Sequence, residues 1–514
     1  MIIKKAFFSI SFFTFISRVL GFIRDLLLAS FIGVGITSDA FLVAFKLPNF
    51  FRRIFAEGAF NAAFIPIFSE ILKVDGQRKA IIFAERILSL LLLVTIIFVI
   101  LAQVFMPSII LIFAPGYLPG GEQSELTIKL SRLTFPYLIL ISLVTLFSGV
   151  INSLGKFASV AFTPIILNVV LIFGISLTNY FNKNSGEVIA IAVTLAGIFQ
   201  LLWLFFPLHK LNIRIFLTLP SYSKKHIEFF KLFLPGVIGA SVVQINLLTD
   251  IIFASLLPKG SISFLYFADR VNQLPLGIIG VALSTALLPI LSQKIITNKE
   301  KEAVNLQNRA IEIGLFFGIP AMFSFIFFSQ EIIRPLFERG AFLFNDSFLT
   351  SQALTAYACG LPAYILLKIL SVSFFSRKNT TIPVTIAVLS VTLNVILNYF
   401  LIQYYQHIGL AMATAISAWF NVILLFIILL YKSWWVPDFV LIKTILKILL
   451  SSVLMVIFLI FIETFIINNN MQYFNKISIL ILLVLSGLLV YMLTSKLLNT
   501  ISFIDLKSKI NKSS

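Results

Sequence analysis

The chain is 514 residues long, 59% hydrophobic and only 12% charged, with a mean hydropathy of +1.04. Soluble globular proteins carry about 25% charged and about 45–50% apolar residues, so the composition excludes that class. The formal charge of +18 would suggest nucleic acid in a soluble protein, but here most of it lies in short loops between apolar runs. The positive-inside rule accounts for it there without a nucleic-acid partner.

Apolar runs of about eighteen residues or more recur from end to end, each long enough to cross a bilayer as a helix. The alternating ten-residue segments of a transmembrane β-barrel are not the pattern here. The predicted fold class is therefore all-α and polytopic. Reading the runs against their breakers gives about fourteen spans. They lie near 6–31, 39–69, 86–113, 126–152, 159–181, 188–208, 228–256, 263–293, 309–328, 348–374, 381–403, 408–431, 441–467 and 476–496. The opening MIIKK and the run after it resemble a signal peptide, but no small-x-small cleavage site follows. The first span is expected to be retained. The second, SDAFLVAFKLPNFFRRIFAEGAF onward, holds Lys46, Arg52 and Arg53. A loop at Arg52–Arg53 would leave a short span and invert every later loop. One long element loosened at Pro48 and Gly58 avoids that.

Alternate loops separate by charge. One set holds Lys4 and Lys5; Lys73, Arg78 and Lys79; Lys156; Lys210, Arg214, Lys224 and Lys225. It continues through Lys294, Lys299 and Lys301, Arg377 and Lys378, Lys432, and the tail with Lys507, Lys509 and Lys512. The other set (GVGIT, APGYLPGGEQSE, NYFNKNSGE, LLPKGS, QYYQH, NNNMQYFNK) is poor in basic residues. This asymmetry places both termini in the cytoplasm. No loop is long enough for a soluble catalytic domain, so an enzyme built on one is not expected. The single cysteine, Cys359, cannot form an internal disulfide, and His209, His226 and His407 have no metal-ligand spacing.

The chain repeats itself. AFNAAFIPIFSE (59–70) aligns with ALSTALLPILSQ (282–293) at an offset of 223, 282 less 59. LNVVL (167–171) matches LNVIL (393–397), and FPYLIL (135–140) matches LPAYIL (361–366), both at 226. IFQLLWLF (198–205) resembles WFNVILLF (419–426) at 221. Spans one to six (1–220) and seven to twelve (221–435) then form two lobes, with two further spans and the tail at 436–514. An even number of spans per unit makes the repeats parallel, an arrangement of alternating-access transporters with a site between lobes.

Charges at bilayer depth cost about 2.5–3.5 kcal/mol each on insertion scales and usually face a cavity or a partner. SRVLGFIRD (17–25) sets Arg18 and Asp25 seven apart on one helix face, and Ser17 and Arg24 seven apart on another. Asp39, Lys46, Arg52, Arg53 and Glu57 follow in span two, and Asp269–Arg270 in span eight. Any one of these could be a structural ion pair or a snorkelling side chain. Arg18, Arg24, Arg52 and Arg270 together outnumber the acids near them, and an excess of buried guanidinium suits a phosphate anion. A second polar cluster comprises Asn246 and Asp250 on span seven, Asn394 and Asn398 on span eleven, and Thr414 on span twelve. Its oxygens suit a small hard cation, or hydrogen bonds between helices.

Three blocks resemble the lipid II flippase family called MurJ or MviN, within the multidrug, oligosaccharidyl-lipid and polysaccharide exporters. They are SRVLGFIRDLLLASFIGVGITSDAFLVAFKLPNFFRRIFAEGAFNAAFIPIFSE (17–70), FADRVNQLPLGIIGVALSTALLP (267–289) and MPSIILIFAPGY (106–117). The resemblance implies a bacterial inner-membrane transporter, not an enzyme. Its cargo would be lipid II, the undecaprenyl-pyrophosphate-linked peptidoglycan precursor, moved to the periplasmic leaflet for cell-wall synthesis. It further implies membrane lipids and the cell-wall synthesis machinery as partners. Arg18, Arg24, Arg52 and Arg270 occupy the motif positions for the cavity arginines, and Asp25, Asp39 and Glu57 those of nearby acids. No organic cofactor is implied. Sodium binding in some members would map to Asp250, Asn394 and Thr414, with Asn398 standing where an acid would strengthen the site. A multidrug exporter or another polyprenyl-linked saccharide exporter is the alternative on this scaffold, but an arginine-rich cavity repels cationic drugs.

Overall fold

A computed structural model describes residues 2–53, 59–180, 185–218, 224–468 and 475–500. Glu57, Gly58 and the tail lysines 507, 509 and 512 lie outside them. Among the described residues all regular structure is helical. The chain divides into two compact units, Met1–Ser263 with Arg339–Leu343, and Phe264–Glu338 with Phe344–Ser514. The lobes expected at 1–220 and 221–435, with 436–514 appended to them, rest instead on sequence repetition.

The first unit holds α1 (Ile2–Ile32), α2 (Ile36–Arg52), α3 (Ala59–Val74), α4 (Gln77–Val104), α5 (Met106–Phe113) and α6 (Glu122–Thr134). It continues with α7 (Tyr137–Ser153), α8 (Phe157–Ala161), α9 (Thr163–Leu177), α10 (Ser185–Lys210) and α11 (Lys224–Ser255). Helix α1 ends at the GVGIT turn, where Gly33 has φ +72 and a Cβ would lie 2.4 Å from the Ala341 carbonyl oxygen. No side chain fits that approach.

The proline in α2 does not end the helix. Pro48 lacks the N–H that would bind the Ala44 carbonyl, and the Thr134 hydroxyl donates to that oxygen at 2.7 Å. Pro136, between α6 and α7, likewise frees the Arg132 carbonyl, which accepts from Gln103 Nε2 at 2.8 Å. In hydrocarbon such oxygens cannot turn to water, so a neighbouring helix must answer them. An aromatic ladder packs α3: Phe60, Phe64 and Phe68 stack at 5.2 and 5.4 Å, and Phe83 of α4 and Phe229 of α11 join them at 5.8 and 5.7 Å. The connection after α10 is pinned to α4, with Phe216 N–H donating to the Glu85 carboxylate at 2.9 Å and Thr218 N–H to Ser89 Oγ at 3.0 Å.

The second unit takes up α12 (Ser261–Pro275) from Phe264 onward, a π-helical turn at Leu276–Gly280, α13 (Val281–Ile296), α14 (Glu300–Phe327) and α15 (Ser329–Phe337). Then come α16 (Phe344–Ala358), α17 (Leu361–Phe375), α18 (Thr381–Tyr431), α19 (Phe439–Asn468) and α20 (Lys476–Leu497). Helices α16 and α17 meet at a 41° bend. Helix α18 breaks at Gln406 (φ 49, ψ −130), where the sequence expects the turn between spans eleven and twelve. Helix α14 lies at the centre of the unit, packed on α17 and α19. The two C-terminal helices belong to this core: Ile448 is fully buried and Tyr491 nearly so. Tyr491 OH donates at 2.6 Å to the Phe316 carbonyl, the oxygen that Pro320 leaves without its helical partner.

Among the described residues nine helices are long and apolar enough to cross a membrane, or ten with the α16–α17 pair. The expected fourteen also include α1, α2 with α3, α11, and a second span in α18.

Replacing Tyr491 by Phe should lower stability by about 1–3 kcal/mol, because the Phe316 oxygen loses its donor. Restoring the backbone donor with Pro320→Ala should shrink that cost. Unfolding midpoints of the four proteins in the double-mutant cycle measure both effects. Equal costs in the two backgrounds would mean that the hydroxyl does not serve the proline-freed carbonyl.

Candidate functional site

Two of the charges in α1, Arg24 and Asp25, join a hydrogen-bonded network within the first unit. Arg24 and Asp25 are buried, at 9% and 1% exposure, in a helix whose surroundings are apolar. Adjacent residues point about 100° apart on a helix, yet the arginine side chain is long enough to curl back. Its Nε and Nη2 both donate to Asp25 Oδ1, at 3.0 and 2.7 Å. Its Nη1 donates to Asn168 Oδ1 at 3.0 Å. Asn168, from the packed face of α9, donates in turn to the Ser17 carbonyl at 2.9 Å. One amide thus spans the two ends of the Ser17–Arg24 face. Gly21 lies between them, where a Cβ would rest 3.6 Å from the Asn168 amide. The Arg24 guanidinium also stands 5.7 Å from the Phe45 ring, a cation–π contact that adds to the restraint.

The other expected residues are placed as follows. Arg18 is exposed and Arg52 half-buried. Arg52 Nε donates to Asn49 Oδ1 at 3.1 Å, and Asn49 Nδ2 donates to the Phe45 carbonyl at 2.7 Å. Asp39 is 2% exposed. Its carboxylate accepts from Gly260 N–H at 2.6 Å, Ser263 N–H at 3.0 Å and Ser263 Oγ at 2.6 Å. It therefore fastens the start of α2 to Gly260 and to Ser263 in the first turn of α12, all within the first unit. Glu57 lies outside the described residues. In the second unit, Arg270 is half-buried. Its Nη2 donates to Tyr266 OH at 3.0 Å, and its Cζ stands 4.6 Å from that ring's centroid. Asp269 accepts from Gln273 Nε2.

Three partners escape a reading by charge alone: Asn168, Asn49 and Tyr266. For Asn168 a signal exists, since it sits in the repeated LNVVL/LNVIL pair and a polar amide at mid-span needs a partner.

Of the cation candidates, Asn246 and Asp250 lie on α11 in the first unit, and Asn394, Asn398 and Thr414 lie on α18 in the second. The side chain of Asn246 is outside those described. Asn398 Nδ2 donates to Asn394 Oδ1 at 3.1 Å, and Thr414 Oγ1 donates to the Leu410 carbonyl at 3.0 Å. No group of three His, Cys, Asp or Glu among the described residues could hold a metal ion. At α1 the structure places a guanidinium held in one orientation by a carboxylate and an amide.

A family model described as "Lipid II flippase MurJ" matches residues 28–485. The "Probable lipid II flippase MurJ" of Rickettsia prowazekii (strain Madrid E) is 40% identical over 81% of this chain and 82% of the relative. The protein of the same name from Rhizobium tropici is 34% identical over 97% of this chain and 95% of its own. A solved structure, "Lipid II flippase MurJ, inward closed conformation", aligns with a TM-score of 0.80 and 32% identity, covering 95% of this chain and 98% of that one. An inward-facing multidrug MATE transporter shares the fold alone, with a TM-score of 0.68 at 16% identity. The match across most of the chain, together with relatives of this similarity, means that this polytopic membrane protein belongs to the lipid II flippase MurJ family.

Proposed function

We propose that this chain is a transporter that moves lipid II from the cytoplasmic to the periplasmic leaflet of a bacterial inner membrane, with Arg18, Arg24, Arg52 and Arg270 engaging its pyrophosphate. The observation that carries the reading is Arg24 itself, a guanidinium held inside a span by Asp25 and Asn168. A charge so placed is costly unless it serves a ligand or a partner, and a pyrophosphate is an anion that guanidinium forks suit. Family membership supplies the cargo: the relatives that cover most of the chain bear the lipid II name, whereas the multidrug transporter compared with it shares only the fold.

In this reading no covalent bond changes. The precursor's sugar–peptide–pyrophosphate head cannot cross hydrocarbon unaided, because stripping its charges of water is prohibitive. A polar route through the protein replaces that water while the polyprenyl tail stays in lipid. Asp25 acts as the resting counter-ion of Arg24 and yields to the incoming anion. Asn168 keeps the guanidinium oriented meanwhile. An inside-negative potential, worth about 2.3 kcal/mol per charge per 100 mV, favours anion export or the return of a cationic empty cavity. Fourteen spans in two six-span lobes plus two, both termini in the cytoplasm, and contact with the cell-wall synthesis machinery complete the proposal. Asp39 and Glu57 complete the acidic partners of the arginines. Asp250, Asn394, Asn398 and Thr414 are the residues to which any cation would be referred.

Expression in a bacterium depleted of its own lipid II flippase should restore growth and the exposure of lipid II at the outer leaflet. Failure with verified membrane expression would contradict the assignment. Arg24→Ala and Arg270→Ala should each reduce flipping at least about tenfold, the loss of one charge-assisted bond of about 1.5–3 kcal/mol. Undiminished flipping in both would remove the pyrophosphate role. Asn168→Leu, similar in size but unable to accept a hydrogen bond, should reduce flipping while Asn168→Gln retains part of it. Flipping that is equal in the two variants would deny Asn168 its orienting role.

A further inference from the structure

The internal repeat extends to the ends of two helices and to two loops. DLLLASFIGVG (25–35), which closes α1, aligns with DIIFASLLPKG (250–260), which closes α11, at an offset of 225, 250 less 25. They share the aspartate, the Ala–Ser pair and the last glycine. FAPGY (113–117) aligns with FERGA (337–341) at 224, 337 less 113, and shares the phenylalanine and the glycine. The fold joins these stretches crosswise. The Ala341 N–H donates to the Ser30 carbonyl at 2.8 Å, so the end of α1 holds the loop of the later repeat. The Gly116 N–H donates to Ser255 Oγ at 3.1 Å, so the end of α11 holds the loop of the earlier one. Both clasps lie in the first unit, which takes in Arg339–Leu343 while α15 and α16 on either side belong to the second.

Each clasp is built around a glycine. A Cβ at 340 would stand 2.9 Å from Ser30 Oγ and closer still to the Ser30 carbonyl oxygen. The φ of +59 there adds a second reason for glycine. A Cβ at 116 would stand 2.6 Å from Leu256 N and closer still to the Ser255 carbonyl oxygen. Backbone atoms cannot swing aside as the tip of a flexible side chain can, so a single methyl group at either place forces the two segments apart. The clasped helices, α1 and α11, are the opening spans of the two sequence repeats. Neither end can move away from the loop that holds it unless its clasp breaks. Three of the connections involved, GVGIT, APGYLPGGEQSE and LLPKGS, are among those poor in basic residues, which the proposed topology gives to the periplasm.

We propose that the two clasps act as one closure on the periplasmic side of the transporter, and that Gly116 and Gly340 are the residues that let it shut. The side named rests on the topology proposed above. A side chain at either glycine then favours the open form and loosens both clasps, including the one it does not touch. The test uses the full-length chain carrying Cys359→Ser and Ser255→Cys. A membrane-impermeant maleimide is added to spheroplasts, and its reaction at position 255, only 3% exposed, is timed. The thiol should react slowly while both glycines are present. It should react at least about tenfold faster once Gly340→Ala is added in the other clasp. The reciprocal chain, Ser30→Cys with Gly116→Ala, should show the same acceleration. An unchanged rate at 255 in a Gly340→Ala protein that reaches the membrane folded would overturn the proposal, because strain confined to one clasp does not reach the other. Should neither alanine variant reach the membrane, the glycine-retaining chain decides. No reaction at 255 would then overturn the closure, as would reaction as fast as at the exposed Leu118→Cys. Reaction in inverted vesicles alone would overturn the topology and leave the closure standing. Flipping of lipid II is not read in this experiment, so its absence would bear on the transport reading only.

Discussion

Inside a membrane a polar group must find its partner within the protein, and most of the polar contacts described above follow from that constraint. Three prolines in or between helices each release a carbonyl, and each carbonyl is met by a side chain from another helix: Thr134 for Ala44, Gln103 for Arg132, Tyr491 for Phe316. These bonds decide which helices lie side by side. The first two draw α2 against α6 and α4 against α6–α7, and the third seats α20 on α14. The same constraint governs the charges. Arg24 is tolerable in α1 because Asp25 and Asn168 hold it, and Asp39 is tolerable in α2 because three donors from Gly260 and Ser263 converge on it.

The constraint also separates what a sequence discloses from what it conceals. Apolar runs mark helices because length and hydropathy are local properties, and the runs near 86–113, 188–208 and 476–496 correspond to α4 with α5, α10 and α20. Breakers are local too, so the break in α18 and the turn at Gly33 are visible in QYYQH and GVGIT. Partners are not local. Helical spacing set Arg18 beside Asp25 and Ser17 beside Arg24, seven apart on two faces. The folded chain also joins Arg24 to its neighbour Asp25, because a long side chain can reach around the helix. The Ser17–Arg24 face was rightly a unit, but what unites it is Asn168, about 150 residues away in sequence. Nothing in SRVLGFIRD names that asparagine. Only the repeat singles out its position, and the repeat does not say what it touches.

The two asparagines of the repeat, Asn168 and Asn394, illustrate how a duplicated scaffold diverges. The backbone carries the same residue type to corresponding places in two units. The first unit has built a charged network on it and the second a neutral one. A transporter needs an anion-recognising surface for a pyrophosphate, and it needs the remaining polar seams to stay quiet in hydrocarbon.

The account stands or falls on whether the arginines recognise a pyrophosphate as such. The most direct measurement compares the binding of a polyprenyl pyrophosphate and the matching polyprenyl monophosphate to the purified protein by native mass spectrometry. The account predicts a clear preference for the pyrophosphate, lost when Arg24 becomes Lys, since a point charge cannot grip two phosphate oxygens as a fork does. Equal binding of the two lipids, or a preference untouched by Arg24→Lys, would contradict it.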